Sequence, residues 1–252
     1  MAPLKKGDQG SEVRELQRLL RKRGYPVAVD GDFGGKTWEG VRAFQSQHLD
    51  VHGQPLVVDG KVGPVTWWAL TNPKPQAAEI PVDFGKMPSA AAGGSGQGRK
   101  ALSIAISELK RGAGETGGNN RGADVRRYLA PAGLAEPNNW CAAFVSWCYL
   151  QACKGDEGRM PFAYSASARA LLKQFRDRDS AHAPQSGYAP LPGDVVVWWR
   201  VRADGWQGHV GLVHHVQDGM LYTIEGNRAA KVQGFSYVLS RMEKLLGFGH
   251  AR

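Results

Sequence analysis

The sequence predicts two domains, a small all-α three-helix domain followed by an α+β domain with an antiparallel sheet. Three observations carry this. The first 70 residues repeat a turn that feeds a helix. A stretch rich in Pro, Gly, Ala and Ser follows. Beyond it, helical spacing gives way after Pro192-Gly193 to short β-rich runs separated by turns. The boundaries read as 1–72 for the first domain, 73–98 for a linker and 99–252 for the second domain.

In the first domain, "SEVRELQRLLRKRG" has Ser11 as a helix cap, an apolar face of Val13, Leu16, Leu19 and Leu20, and Gly24 as its stop. "VDGDFGGKTW" (29–38) aligns without a gap on "VDGKVGPVTW" (58–67). Asp30-Gly31 and Asp59-Gly60 supply the turns, Gly34 and Gly63 relieve tight backbone, and Thr37 and Thr66 lie near a helix start. The middle helix carries Trp38, Val41, Phe44 and Gln45. Trp38 and Trp67 occupy equivalent repeat positions and read as core, with Trp68 the better surface residue. Residues 71–98 have no period. Within them "AEIPVDFG" can lie on a domain, and the Ala-Gly-Ser end is expected to be mobile.

The second domain opens with "RKALSIAISELKRG", whose Leu102, Ala105, Ile106 and Leu109 form a helical face. "GETGGNNRGADVRRYLAPAG" is a loop and a short helix, and "EPNNWCAAFVSWCYL" is a core helix. "DVVVWWRV", "GHVGLVHHVQ", "MLYTIEGN" and "AAKVQGFSYV" are the strands.

The net charge is +9 over 252 residues. Residues 99–252 carry +7 of it and residues 1–72 carry +2. Such a field favours polyanions. The basic residues are scattered and no groove-reading motif is present, so specific nucleic-acid binding is not expected. The N-terminus has no apolar segment after its lysines, and no run approaches the ~18 apolar residues of a membrane span. Cytoplasmic synthesis without a signal peptide, and no membrane insertion, are expected. The three cysteines, Cys141, Cys148 and Cys153, are too few for a disulfide scaffold and read as reduced thiols. No CxxC is present, which argues against a zinc ribbon.

Cys141 stands out among them. Asn138 or Asn139 can cap its helix, placing Cys141 in the first turn. The helix dipole and free N–H groups there favour a thiolate. A thiol nucleophile needs a base. His48 and His52 belong to the first domain, and His182 and His250 sit in unpatterned or terminal sequence. His209, His214 and His215 share one strand, and His209, flanked by Gly208 and Gly211, has room for its ring. His215 lies about 20 Å further along. Glu225 and Asn227 on the next strand are the candidate orienters of His209. A three-residue loop, Gln217-Asp218-Gly219, would place His209 opposite Asn227 and Gly211 opposite Glu225.

"LKKGDQGSEVRELQRLL", "VDGDFGGKTWEGVRAFQ" and "VDGKVGPVTWWAL" resemble the peptidoglycan-binding three-helix domain of cell-wall hydrolases. "NWCAAFVSWC", "PLPGDVVVWW", "GHVGLV" and "IEGN" resemble the CHAP family, cysteine, histidine-dependent amidohydrolases/peptidases with a papain-like core. The resemblance implies Cys141 as nucleophile, His209 as base, and Glu225 and Asn227 as polar residues orienting it, with Asn227 preferred as the direct partner. Trp140 stands where many members have Gln. Trp140, Asn120 of "ETGGNN" and Trp206 are candidate substrate-binding residues.

The implied protein is a monomeric, phage endolysin-like hydrolase of peptidoglycan. It would cut a stem-peptide amide through a thioester, with no metal or organic cofactor, and act on the wall after release. Its charge would aid adsorption to anionic envelope polymers. The rival readings are a metal-dependent amidase and a catalytically inactive wall-binding protein.

Overall fold

The computed structural model describes every residue except 1, 2, 24, 26, 49, 52–55, 58, 73–79, 91, 201, 229, 243 and 252, and leaves out the side chains of 43, 46, 47, 80 and 81. Gly24, Val58 and His52, singled out above, lie outside the described residues. The chain divides into two compact units, one of residues 1–76 with 116–119 and one of residues 77–115 with 120–252.

The first unit holds α1 (Ser11–Lys22), α2 (Gly35–Gln47) and α3 (Pro64–Thr71). Val13, Leu16 and Leu20 of α1 pack with Phe33, Val41, Phe44, Val62 and Leu70 into its core. Ser11 does not cap α1. Gly10 occupies the cap position and no side chain bonds there.

The repeat is a repeat of hydrogen bonds. Gln17 Nε2 donates to Asp30 Oδ1 (2.7 Å), to the Asp32 carbonyl (3.0 Å) and to Thr37 Oγ1 (3.1 Å), while its Oε1 accepts from Gly31 N–H (2.8 Å). Gln45 does the same with Asp59 (3.0 Å), the Lys61 carbonyl (2.8 Å), Thr66 (3.2 Å) and Gly60 N–H (2.9 Å). A buried amide at each turn thus satisfies groups that burial would otherwise penalise. Trp38, Trp67 and Trp68 are alike, each partly buried against this core, so Trp68 is not set apart as a surface residue. Trp38 lies over Gly60, where an added Cβ would meet its ring nitrogen at 2.2 Å.

The second unit begins earlier than the sequence suggested. Ile80–Val82 (β1) pairs antiparallel with the later strand residues Gly234–Ser236, so this stretch is sheet, not linker. A 3-10 turn, Phe84–Lys86, follows, capped by Asp83. α4 spans Gly96–Lys110, with Ser95 Oγ accepting from Gly98 N–H. The Ala-Gly-Ser end therefore feeds directly into a capped helix.

Next come α5 (Ala123–Leu129), α6 (Cys141–Ala152) and α7 (Ala168–Arg176), then β2 (Ala181–His182), β3 (Val195–Trp199), β4 (Gly208–Gln217), β5 (Met220–Arg228), β6 (Lys231–Val238) and β7 (Leu245–Gly249). The sheet order is β1-β6-β5-β4-β3-β7-β2, with every pair antiparallel. The central β3–β6 meander is the one the sequence predicts. Helix α7 and strands β1, β2 and β7 were not anticipated.

Alternation along the strands serves two cores. Val195, Val197, Val210, Leu212 and Ile224 face the helices, where Phe144, Tyr149 and Leu171 meet them. Val196, Trp198, Val213, Leu221, Phe235 and Tyr237 pack on the opposite face. Asp194 fixes the start of β3, accepting from Tyr188 OH (2.7 Å), Leu191 N–H (2.8 Å) and His250 Nδ1 (2.8 Å). Arg127, exposed on α5, pairs with Glu108 at 2.6 Å and lies over the Trp147 ring.

The β4–β5 hairpin corrects the predicted loop. Gln217 pairs with Met220, so the loop is the two residues Asp218 and Gly219, at φ 51° and 74°. That is the primed turn Asp-Gly favours. A bulge at His214 then shifts the register, so that Gly211 still lies opposite Glu225. The expected pairing is reached by a different device.

Among the described residues, no helix is long and apolar enough to cross a membrane.

Candidate active site

Cys141 is the first residue of α6 and is 7% exposed. Neither asparagine caps the helix. Asn138 turns back to the Ala135 carbonyl (2.6 Å), and Asn139 Oδ1 accepts from Asn120 Nδ2 (3.4 Å). Trp140 is the cap residue, with no side-chain cap bond. Its N–H is instead held by Asn227 Oδ1 (3.1 Å), and its carbonyl accepts the Phe144 N–H (2.8 Å). The N–H groups of the first helical turn lack intrahelical acceptors, and the Cys141 sulfur uses one of them, the Ala142 N–H.

The thiol hydrogen bonds to His209. On the far side of the ring, His209 Nε2–H donates to Glu225 Oε2 at 2.7 Å. Glu225 is fully buried and takes three more donors. These are Arg228 Nη1 (3.1 Å) on Oε2, and Thr223 Oγ1 (2.6 Å) and Tyr237 OH (2.6 Å) on Oε1. With this many donors on it the carboxylate is held in place, and its bond to Nε2–H fixes the imidazole tautomer. Trp198 lies beside the His209 ring, 5.8 Å between centroids.

Burial pushes the Cys141 thiol up, but the hydrogen bond and charge of His209 outweigh it, and the thiol lies below its ordinary value. Burial and the nearby Arg200 push the imidazole down, yet the bonds to Cys141 and Glu225 hold it above its ordinary value. The two shifts favour the same state, a thiolate beside an imidazolium. Burial drives Cys148 well the other way, to an inert thiol, and Cys153 is also raised by burial.

The sequence-predicted residues therefore divide. Cys141, His209 and Glu225 come together. Asn227 is adjacent but is not the direct partner of His209, contrary to expectation. The β4–β5 ladder ends at Gly211–Glu225, and Asn227, left-handed at φ 59°, reaches Trp140, Glu115 (3.2 Å) and Asn120 (2.6 Å) instead.

Trp140 cannot meet substrate because its side chain is fully buried. It stacks on Tyr128 (5.5 Å), lies over Gly226, and donates Nε1–H to Glu115 Oε1 (3.0 Å). Asn120 is partly buried and bonded to Asn227 and Asn139. Trp206, 79% exposed in the loop between β3 and β4, is open to solvent.

Sequence reasoning missed Glu115, Thr223, Arg228, Tyr237 and Arg200. Thr223 carried a signal, since it precedes Glu225 by two and shares its strand face. The others are set by β6, by the irregular pairing between Glu225 and Arg228, and by loops, which spacing does not reveal.

Residues 9–70 match the family model of a putative peptidoglycan binding domain, and residues 133–227 match that of the CHAP domain. The two matches follow one another along the chain without overlap. The CHAP match contains Cys141, His209, Glu225 and Asn227.

Two solved structures are similar to parts of the chain. A Burkholderia AP3 phage endolysin is 29% identical over 43% of this chain and 33% of its own, with a TM-score of 0.25. Ly7917, solved with the hydrolyzing product of MDP, is 12% identical over 61% of this chain and 62% of its own, with a TM-score of 0.37. The chain thus spans a third of the first and under two thirds of the second. No curated protein matches the chain.

Proposed function

We propose that the protein binds peptidoglycan through its first domain and cleaves a stem-peptide amide with Cys141 of its CHAP domain. The observation that carries this is the Cys141–His209–Glu225 line at the start of α6, with the thiol lowered and the imidazole raised. In this mechanism the thiolate adds to the amide carbonyl carbon, and the Cys141 N–H is one donor to the resulting oxyanion. His209 gives its proton to the leaving nitrogen as the C–N bond breaks, leaving a thioester. His209 then takes a proton from water, whose oxygen adds to the thioester carbon, and the Cys141 thiolate departs. Glu225 holds His209 throughout. Cys141, His209 and Glu225 are the proposed catalytic machinery, with Asn227 supporting it.

The substrate class follows from the first domain and the basic charge, both suited to an anionic wall. The protein would meet that wall after release from the cell interior. The test is turbidity clearing of purified walls by wild type and Cys141→Ser, with mass spectrometry of the fragments. Equal clearing by the two proteins would sink the mechanism. The fragment termini decide between the amidase bond and a peptide bond within the stem.

A further inference from the structure

The loop before α5 carries a group that the proposed catalytic line does not use. Glu115 Oε1 accepts from Trp140 Nε1–H (3.0 Å) and from Asn227 Nδ2–H (3.2 Å), while Asn227 Oδ1 accepts the Trp140 backbone N–H (3.1 Å). These three residues form a closed ring of hydrogen bonds. One member precedes the nucleophile, and another lies two residues beyond the partner of His209. The ring is the tie between the first turn of α6 and the end of β5, where neither asparagine caps the helix and the β4–β5 ladder has ended.

Glu115 can serve as an anchor because its own backbone is fixed. Glu115 N–H donates to the Ala230 carbonyl (2.8 Å), Val232 N–H donates to the Ala113 carbonyl (2.9 Å), and Gly114 bridges to Lys231. A side chain at 114 would be 2.7 Å from the Ala230 carbonyl oxygen, so glycine permits this approach. The 113–115 stretch is thereby attached to the start of β6. Asn120, accepting from Asn227 Nδ2 at 2.6 Å, adds a second tie from the same loop.

Glu115 Oε2 is buried and has no hydrogen-bond partner among the described residues. Burial raises the Glu115 carboxyl above its ordinary value, although Trp140, Asn120 and Asn227 all donate to it. Its side-chain bonds to Trp140 and Asn227 both run through Oε1. The carboxyl therefore acts as an acceptor at a fixed point, with its charge unused.

We propose that Glu115 is a positioning residue. It holds Trp140 and Asn227 so that the Cys141 sulfur and backbone N–H face His209 and the substrate carbonyl in register. This rests on the nucleophilic role proposed above for Cys141. A misplacement of about 1 Å at a reacting group can cost on the order of 10²-fold in rate.

The experiment compares Glu115→Ala, Glu115→Gln and Glu115→Asp in the full chain. It reads kcat and KM on soluble wall fragments, and the iodoacetamide alkylation rate of Cys141 against pH. Glu115→Gln keeps an oxygen acceptor at the same reach and is expected to stay near wild type in both readings. Glu115→Asp keeps the carboxylate but shortens the reach. It is expected to lose kcat with little change in KM, and to shift the alkylation profile, as is Glu115→Ala, by on the order of 10²-fold in kcat.

Wild-type kcat in Glu115→Ala overturns the proposal, as does Glu115→Gln falling as far as Glu115→Ala. If Glu115→Ala does not fold, the Asp and Gln variants decide, since a charge role reverses their order. Alkylation requires no wall substrate, so it tests Glu115 even if Cys141→Ser shows that wall cleavage proceeds without the thiol.

Discussion

Glu225 reaches His209 by lying across Gly211. The two glutamate-bearing and histidine-bearing strands pair Gly211 with Glu225, not His209 with Glu225. The carboxylate must therefore run diagonally to meet Nε2 at 2.7 Å. A Cβ at 211 would sit 2.6 Å from Glu225 Cγ. Gly211→Ala is expected to move Glu225 off the imidazole and lower kcat/KM by about 10²-fold, with a stability loss of about 1–3 kcal/mol from overpacking. Steady-state kinetics and thermal unfolding check both numbers. Unchanged kinetics would mean that the diagonal contact does not orient the base.

Glu225→Gln separates orientation from charge. The amide oxygen can still accept from His209 Nε2–H and Arg228 Nη1, while the amide nitrogen faces the Thr223 and Tyr237 hydroxyls, which can accept. The ring position and tautomer are then kept, and what is lost is the negative charge that stabilises the imidazolium. The variant is expected to lose 10²-fold or more in kcat, within the range of about 10²–10⁴ for general acid–base groups. Cys141 would alkylate like an ordinary thiol. Glu225→Ala removes the buried carboxylate that accepts from His209, Arg228, Thr223 and Tyr237 and is expected to cost about 3–5 kcal/mol, read by denaturant unfolding.

The coupled shifts of Cys141 and His209 predict a particular pH profile. The thiolate–imidazolium pair forms as pH rises through the lowered thiol ionisation, below its ordinary 9.0. It is lost as pH rises through the raised imidazole ionisation, above its ordinary 6.5. The ratio kcat/KM should therefore be bell-shaped, with its acid limb below the ordinary thiol ionisation and its alkaline limb above the ordinary imidazole ionisation. Alkylation below pH 9 should label Cys141 well ahead of Cys148, whose thiol burial raises. Peptide mapping of the labelled protein reads this directly. Labelling that begins only near pH 9 would remove the ion pair from the mechanism.

How much of this was legible in the sequence depends on the range of the interaction. Cys141 at a helix start and His209 between glycines follow from local pattern, and both were found. The β3–β6 meander follows from alternation and turn residues. The choice between Glu225 and Asn227 did not, because it turns on one inserted residue. With the Asp218-Gly219 loop alone, Glu225 would point away from His209. The bulge at His214 reverses that, and nothing in "GLVHHVQ" distinguishes a bulged strand from a regular one. The His214 ring instead donates from Nε2 to the Pro88 carbonyl (2.9 Å), a partner 126 residues away. Glu115 and β1 were missed for the same reason, since their meaning lies in distant strands. Trp140 was read as a substrate-binding candidate because its burial is set by Tyr128 on α5 and by Gly226 far along the chain.

The buried glutamines give the last prediction, and it separates the two units. Gln17 and Gln45 each satisfy a glycine N–H, an aspartate, a backbone carbonyl and a threonine hydroxyl around equivalent turns. Truncation to Ala leaves the glycine N–H and the carbonyl unpaired in a site that admits no side chain in exchange. The cost of such orphaned groups is about 1–3 kcal/mol. Gln17→Ala and Gln45→Ala are each expected to destabilise the first unit by that amount. Hydrogen exchange should then rise across residues 4–70, while Cys141 alkylation stays at the wild-type rate. Retention on purified peptidoglycan should fall in both variants and clear less wall per mole of enzyme. If exchange rises and retention does not fall, the turns stabilise a domain whose wall contact lies away from them. If alkylation changes as well, the two units do not behave independently.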